Sequence, residues 1–143
     1  MFIVAGLFLA VLWRRPLLLA TVAGADFAAI WLSLGLRQWI GRERPPEVYP
    51  EPKPLAHVPH TGSFPSGHSA TAFACAAVLA WASPRLAAPA FLLAAAIAWS
   101  RVYVGVHWPL DVLGGAALGL LVATALLMLV RALRRSRRET PVG

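Results

Sequence analysis

Long apolar runs constrain this chain more than any other feature of its sequence. Four stretches, residues 16–36, 65–82, 86–106 and 109–130, are interrupted by only a few polar side chains. A helix of about 20 apolar residues crosses the hydrocarbon core of a bilayer, and 143 residues suffice for one domain. We therefore predict a single-domain, all-α fold, a polytopic transmembrane helix bundle with four full spans.

A shorter apolar segment, residues 1–13, precedes the first of these runs. A helix of this length reaches only about 20 Å, whereas the hydrocarbon core is roughly 30 Å thick. A secretory signal peptide carries basic residues before its apolar region, but here Arg14 and Arg15 follow that region. We interpret residues 1–13 as a short partial or re-entrant helix.

The basic residues predict how the chain is oriented in the membrane. With a cytoplasmic C-terminus, eight of the 13 lysines and arginines lie inside and the other five outside, as the positive-inside rule favours. Residues 131–143 then form the basic cytoplasmic tail of a multi-pass cell-membrane protein. The net charge of +7 does not indicate nucleic acid as a partner, because no aromatic platform accompanies the basic run.

This orientation places three segments on the extracytoplasmic face: residues 37–68 (which include the loop 37–64), the turn 100–108 and the first turn of the last helix. The loop is rich in proline, which disfavours a regular helix and favours extended or turn conformations. A long ordered loop of this kind is often a lid or a binding loop.

Arginines cluster on the same predicted face. Arg37 and Arg44 flank the end of one span, and Arg101 ends another between apolar residues. Converging guanidinium groups suit an anion with several oxygens, because each planar fork binds phosphate in a bidentate manner. We interpret Arg42, in contrast, as an ordinary interfacial side chain that reaches towards water.

The sequence FPSGHS predicts the start of a helix that binds an anion. Proline suits the first helical position, and the free N–H groups and dipole of a helix N-terminus favour phosphate. Ser66 offers a hydroxyl donor, and Gly67 allows a close approach of the backbone. His68 lies in the first turn, where it could donate a proton to a leaving oxygen.

The sequence HWPLD places His107 and Asp111 on one face of a helix if the helix has begun by His107. A carboxylate that holds one imidazole nitrogen orients the ring and leaves the other nitrogen as a nucleophile or base. A purely structural pair that fixes the helix start explains these two residues equally well. The nearby arginines and PSGH favour the catalytic interpretation.

A zinc site is the main alternative for the same residues. The chain offers enough ligands for it, namely His57, His60, His68, His107 and Asp111. Three arginines close by would repel a cation, so we predict no metal. His57 and His60 are assigned to the loop without a specific role.

Three spaced motifs resemble those of the type 2 phosphatidic acid phosphatase family, which shares its site with vanadium haloperoxidases and bacterial acid phosphatases. The first family motif is lysine, six residues and Arg-Pro; here RQWIGRERP places Arg37 at the lysine position and ends on Arg44 and Pro45. The second motif, PSGH, is matched in full by residues 65–68.

The third motif of that family is Ser-Arg, five residues, histidine, three residues and aspartate. It is matched in full by Ser100, Arg101, His107 and Asp111. Each motif is short, but all three occur in order at the ends of predicted spans. The resemblance covers roughly residues 16–131.

The resemblance implies a mechanism. His107 attacks phosphorus to form a phosphohistidine, Asp111 orients His107, and His68 protonates the leaving oxygen and then helps to activate water. It further implies that the phosphoryl oxygens are held by Arg37, Arg44, Ser66, Gly67 and Arg101. No metal or other cofactor is required.

Two features depart from the family pattern. Arg37 replaces the usual lysine, and a planar fork is not equivalent to a compact ammonium. Membrane members of the family commonly have six spans, whereas this sequence shows four and a fragment. We therefore expect that the first span and part of the second are missing.

The predicted function is a metal-independent phosphatase for lipid phosphates or diphosphates at the extracytoplasmic face. Undecaprenyl diphosphate, phosphatidylglycerol phosphate and phosphatidic acid are the leading substrates, and the motifs do not choose among them. A lipid phosphotransferase with the same site and a truncated, non-catalytic membrane protein are the alternatives. The oligomeric state stays open.

Two further features of the spans are interpreted as structural. Asp26 lies in mid-span, about 16 Å of helix away from Arg37, and we expect a buried packing residue. Gly115 and Gly119 form a GxxxG pattern, which we expect to serve close helix packing within the bundle rather than dimerisation.

Overall fold

The structure, a computed structural model, describes residues 16–139 and the side chains of residues 16–136. The partial helix predicted at residues 1–13 lies outside the described residues. Within residues 16–139 the chain forms helices and connecting segments without any strand. The predicted all-helical class is therefore confirmed.

Four long helices make up the bundle. They are α1 (Pro16–Ile40), α3 (Gly67–Ala82), α4 (Ala87–Tyr103) and α5 (Pro109–Glu139). A short helix α2 (Pro45–Val48) interrupts the loop after α1, and a 3-10 turn (Pro84–Leu86) leads into α4.

The helix ends differ from the predicted spans at both faces of the bundle. Helix α1 runs to Ile40 rather than to residue 36, so Arg37 lies in its last turn. Helix α4 ends at Tyr103, and α5 continues through much of the predicted basic tail to Glu139. The arginines of the tail therefore extend a helix instead of following one.

Three of the described helical segments are long and apolar enough to cross a membrane: Pro16–Val48, Pro84–Tyr103 and Pro109–Ser136. Helix α3, also predicted as a full span, has 16 residues, which corresponds to about 24 Å. It packs against α1, α4 and α5, so the shortest of the four is the central one.

Small side chains form the core where these helices meet. The fully buried cluster consists of Ala25, Ala29, Ala70, Ala74, Val78 and Ala123. Large apolar side chains such as Phe27, Trp31, Leu92 and Leu121 are exposed instead. Small residues inside and large apolar residues outside are typical of helices that pack closely within lipid.

The two glycines of the GxxxG pattern lie between α5 and α3. A Cβ atom at Gly115 would lie 2.3 Å from the carbonyl oxygen of Ser66, and one at Gly119 would lie 2.1 Å from that of Ala70. Each glycine therefore allows direct backbone contact with α3, in agreement with the predicted packing role within the bundle.

The environment of Asp26 differs from the buried one that was predicted. Its side chain is exposed on the surface of the described helices instead of being buried in the core. The neighbouring Ala25 is fully buried, because residues one position apart on a helix point in different directions.

Candidate active site

Three helix ends meet at one end of the bundle. The Nε atom of Arg37, at the end of α1, donates a hydrogen bond of 2.9 Å to the carbonyl oxygen of Pro65. The N–H of Ser66, just before α3, donates to the carbonyl oxygen of Asp111 in the first turn of α5 at 2.8 Å. These bonds connect the segments that contain the three motifs.

Arg37 is buried, with 7% of its surface exposed. A Cβ atom at Gly67 would lie 2.6 Å from Nη2 of Arg37 and 3.0 Å from both Ile30 Cδ1 and Ser33 Oγ. The guanidinium group of Arg37 therefore occupies the space beside Gly67 that a side chain would fill. A side chain at position 67 would displace that group.

The start of α3 presents an unpartnered hydroxyl. Among the described residues, the buried side-chain atoms that lack a hydrogen-bond partner are Ser66 Oγ and His107 Nδ1. Buried polar atoms normally have partners. Nδ1 of His107 faces Asp111 at 3.5 Å, so Ser66 Oγ is the atom whose missing contact a ligand would supply.

His68 and Arg101 lie on the more open side of this region. His68 is exposed, and it lies within electrostatic range of Arg101, His107 and Arg37. Arg101 is half-buried, and its Nε donates to Ser100 Oγ at 3.1 Å. The predicted proton donor is thus close to two of the predicted phosphate ligands.

Arg44 is almost completely buried, with 1% of its surface exposed. Its Nε and Nη2 donate to the carbonyl oxygens of Thr61 and Gly62 at 2.9 and 3.1 Å. Its Nη1 donates to the carbonyl oxygen of Val106 at 2.8 Å and lies 3.5 Å from Nε2 of His107. Arg44 therefore holds the loop against the segment that carries His107.

His107 is buried in the turn between α4 and α5, with 4% of its surface exposed. Its Nδ1 lies 3.5 Å from Oδ2 of Asp111, an ion-pair distance that does not meet hydrogen-bond geometry. Burial lowers the pKa of His107, the carboxylate of Asp111 opposes this shift, and Arg44 and Arg37 add to it. The imidazole is therefore held mainly in its neutral form at neutral pH.

The turn that carries His107 follows the predicted pattern. Gly105 has a φ of +76°, a backbone conformation that favours glycine, and Pro109 is the first residue of α5, where its missing N–H costs nothing. The N–H of Trp108 donates to Oδ2 of Asp111 at 2.8 Å. Asp111 therefore both fixes the helix start and approaches His107.

Arg42 does not have the free interfacial position that its sequence context suggested. Its Nη1 lies 2.9 Å from Oδ1 of Asp111, whose side chain is fully buried. Its guanidinium also lies over the Trp108 ring, 5.8 Å from the centroid. The interpretation of Arg42 as an interfacial arginine is therefore wrong. A buried carboxylate without a counter-charge would be costly, and Arg42 supplies the counter-charge for Asp111.

Sequence reasoning also missed Ser69 and Trp108. Ser69 Oγ donates to the carbonyl oxygen of Val112 at 2.6 Å, and Trp108 Nε1 donates to that of Glu43 at 3.0 Å. Neither residue carries a recognisable signal in the sequence.

A backbone hydrogen bond ties the loop to the turn, since the N–H of Leu55 donates to the carbonyl oxygen of Val104 at 3.0 Å. A second bond, from the N–H of Ser63 to the carbonyl oxygen of Arg42 at 2.8 Å, joins the two ends of the loop. His57 and His60 are exposed on this loop. In the part of the chain that the structure describes, no three His, Cys, Asp or Glu side chains are grouped to hold a metal ion.

Fold and site together define a helical membrane protein with a buried cluster of histidine, aspartate and arginine side chains at one end. The model of the PAP2 superfamily matches residues 15–135, and the chain belongs to that superfamily. The resemblance inferred from the three motifs is thereby confirmed.

Relatives of known name include several lipid phosphatases. The putative undecaprenyl-diphosphatase YbjG of Escherichia coli (strain K12) is 50% identical over 60 residues, which are 41% of this chain and 30% of that protein. Phosphatidylglycerophosphatase B of Bacillus subtilis (strain 168) is 38% identical over 117 residues, 74% of this chain and 53% of that protein. The chain thus spans about half or less of the length of these relatives.

Solved structures share the fold over most of this chain. The crystal structure of Aquifex aeolicus LpxE has a TM-score of 0.75 and 30% identity, and the match covers 90% of this chain and 78% of that one. A PAP2-type phosphatidylglycerolphosphate phosphatase from Bacillus subtilis matches with a TM-score of 0.65 and 29% identity, over 84% of this chain and 70% of that one.

Proposed function

We propose that this protein is a metal-independent phosphatase for lipid phosphates or diphosphates that acts through a phosphohistidine on His107. The main support is the position of the His107 imidazole, which is buried between the carboxylate of Asp111 and the guanidinium of Arg44. The names of its relatives, an undecaprenyl-diphosphatase and a phosphatidylglycerophosphatase, support a lipid substrate.

In the first step, Nε2 of neutral His107 attacks phosphorus and the bond from phosphorus to the leaving oxygen breaks. Protonated His68 donates its proton to that oxygen. Burial lowers the pKa of His107 and so favours this step, because only the neutral imidazole has a free electron pair for attack.

In the second step, water attacks the phosphorus of the phosphohistidine, and His68 accepts a proton from that water. The bond between phosphorus and Nε2 breaks, and inorganic phosphate leaves. Negative charge on the phosphoryl oxygens is stabilised throughout by preorganised cations and donors, to which we assign Arg37, Arg44, Arg101, the hydroxyl of Ser66 and the N–H of Gly67.

Arg44 requires a change of partner on binding. Its N–H groups donate to three backbone carbonyl oxygens, at distances of 2.9, 2.8 and 3.1 Å. The contact of 3.5 Å to Nε2 of His107 is weaker. A phosphoryl oxygen replaces that contact when Nε2 turns to phosphorus.

The site is assigned to the extracytoplasmic face, with the C-terminus in the cytoplasm. Helix α5 starts at the site and carries basic side chains at its far end, which favours a cytoplasmic position for that end; they include Arg131, Arg134 and Arg135. Four of the five basic residues at the site end are Arg37, Arg42, Arg44 and Arg101, whose contacts lie within the site. These four arginines therefore do not argue against a cytoplasmic position for the basic far end of α5.

The decisive experiment measures phosphate release by the purified protein in detergent micelles with EDTA present. The substrates are undecaprenyl diphosphate, phosphatidylglycerol phosphate and phosphatidic acid. We expect release from at least one of them, inhibition by vanadate, and an acid-labile, alkali-stable radiolabel on the protein from labelled substrate. His107→Ala should abolish both release and label.

Two outcomes contradict the proposal. Release that persists in His107→Ala would exclude His107 as the nucleophile. Loss of activity in EDTA that zinc restores would replace the phosphohistidine mechanism with a metal-dependent one.

A further inference from the structure

The carboxylate of Asp111 has three polar neighbours. Its Oδ2 accepts the N–H of Trp108 at 2.8 Å and lies 3.5 Å from Nδ1 of His107. Its Oδ1 accepts Nη1 of Arg42 at 2.9 Å. The two oxygens therefore have separate tasks, since Oδ1 binds the arginine and Oδ2 faces the helix start and the imidazole.

Arg42 is itself held in place from several directions. Gly41 before it has a φ of +62°, which turns the chain at the end of α1. The carbonyl oxygen of Arg42 accepts the N–H of Ser63. The guanidinium of Arg42 lies over the Trp108 ring. Trp108 in turn donates to the carbonyl oxygen of Glu43, so the arginine and the indole position each other.

This arrangement gives Arg42 two effects on the carboxylate. It neutralises a charge that is fully buried, which would otherwise be costly. It also fixes the rotation of the carboxylate, because a short bond to Oδ1 leaves Oδ2 directed at Nδ1 of His107. Arg42 is about one-third exposed, at 36%, so its guanidinium is solvated on the outer side.

We infer that Arg42 is a positioning residue that acts on His107 through Asp111, by orienting the carboxylate and moderating its charge. This inference rests on the proposed function, in which His107 is the nucleophile. Arg42 lies between Arg37 and Arg44 in the first motif but is not one of the phosphate ligands that the motif implies. Its contacts are to Asp111 and Trp108, and no site residue was expected there.

The charge of Arg42 should also influence the titration of His107. The groups that face His107 are Asp111 from α5, Arg37 from α1, Arg44 from the loop and His68 from α3. Asp111 favours the protonated imidazole, and Arg42 partly cancels that influence. Removing the positive charge of Arg42 should therefore raise the pKa of His107 and move the acid limb of kcat/KM to higher pH.

The first test compares Arg42→Gln with the unmodified protein by steady-state phosphate release. We expect kcat to fall roughly 10- to 100-fold, by analogy with the loss on removing an outer-shell partner that orients a metal-binding histidine, while KM stays near its original value. The acid limb should move up by about half a pH unit to one unit. Arg42→Lys keeps the charge and should recover part of kcat.

A double-mutant cycle separates action through Asp111 from a direct contact with substrate. In an Asp111→Asn background, Arg42→Gln should change kcat by no more than about threefold, because the group through which it acts is already neutral. The matched control is Lys53→Gln, which removes an exposed cation from the same loop and should leave kcat and the pH profile unchanged.

Three results would overturn the inference. A rise in KM with unchanged kcat would make Arg42 a phosphate ligand. Additive losses in the cycle would show that it acts independently of Asp111. An equal loss in Lys53→Gln would reduce its role to the general charge of the loop.

A separate readout keeps the inference testable if the unmodified protein releases no phosphate, in which case the proposed function fails. The pKa of His107 can be measured by NMR on histidine-labelled protein in micelles, with the resonance assigned by its absence in His107→Ala. A higher pKa in Arg42→Gln, with Arg42→Lys unchanged, supports the coupling of Arg42 to His107. An unchanged pKa refutes it.

Discussion

Nη1 of Arg44 lies 3.5 Å from Nε2 of His107 and donates to the carbonyl oxygen of Val106, while Nε and Nη2 of the same guanidinium donate to carbonyl oxygens of the loop. One side chain thus holds the loop, holds the turn and faces the candidate nucleophile. The proposed phosphate binding and the structure of the site therefore involve the same residue.

This dual role predicts that Arg44→Lys is not a conservative substitution. The carbonyl oxygens of Thr61, Gly62 and Val106 are each faced by a different guanidinium nitrogen, and the single nitrogen of an ammonium does not replace all three. We expect kcat/KM to fall by about 100-fold or more and the free energy of unfolding to fall by about 2 kcal/mol or more. Phosphate release and thermal unfolding in detergent measure the two effects.

The matched control is Arg37→Lys, because Arg37 makes one hydrogen bond to a carbonyl oxygen, that of Pro65, and lies at the position of the family's lysine. We expect its activity to stay within about tenfold. A greater loss in Arg37→Lys than in Arg44→Lys would contradict the different roles assigned to the two arginines.

Gly67→Ala should impair binding without unfolding the protein. The added methyl would lie 2.6 Å from Nη2 of Arg37, and the buried guanidinium has little room to move. We expect kcat/KM to fall by about tenfold or more, with the unfolding free energy lowered by about 1–3 kcal/mol through overpacking. Kinetics and thermal unfolding of the same preparation check this.

Gly35→Ala is the control for Gly67→Ala, because nothing lies within 4 Å of the position of a Cβ atom there. It should leave activity unchanged. If displacement of Arg37 is the cause, a narrower ammonium should relieve it, so Gly67→Ala with Arg37→Lys should be more active than Gly67→Ala alone. Failure of that rescue would count against the mechanism.

Gly119→Ala should destabilise the bundle itself. Its methyl would meet the backbone of α3, with the carbonyl oxygen of Ala70 at 2.1 Å, so the two helices must separate. We expect a loss of about 1–3 kcal/mol, measured as a lower midpoint of thermal unfolding. Gly24→Ala is the control, since its nearest neighbour, Leu126 Cδ2, lies at an ordinary 3.6 Å; equal midpoints would exclude close packing at Gly119.

The pH dependence of kcat/KM should reflect the buried histidine. Burial lowers the pKa of His107 below its ordinary value of 6.5, and the neutral form is the proposed nucleophile. The acid limb of kcat/KM should therefore lie below pH 6.5, because protonation of His107 removes the electron pair that attacks phosphorus in the proposed mechanism. A pH profile for a substrate of known phosphate pKa checks this, and an acid limb at or above 6.5 would contradict it.

The sequence alone predicted the membrane class and the residues of the three motifs. Apolar runs such as 109–130 predict membrane-spanning helices directly, because the hydrocarbon core of a bilayer accommodates few side chains that are not apolar. The spacing of His107 and Asp111 is likewise local, since it depends only on the geometry of one helix turn. Both features can be deduced without knowing which segments meet.

Only the tertiary structure decided how the charged side chains are partnered. Arg42 and Asp111 are 69 positions apart in sequence, and so no local pattern could distinguish an interfacial arginine from a buried counter-charge. The same holds for Arg44, whose acceptors in the loop and the turn are brought together by packing of α3 between its neighbours. Side-chain type and spacing identify candidates, but the partner of a buried charge is fixed by long-range contacts that compensate its loss of water.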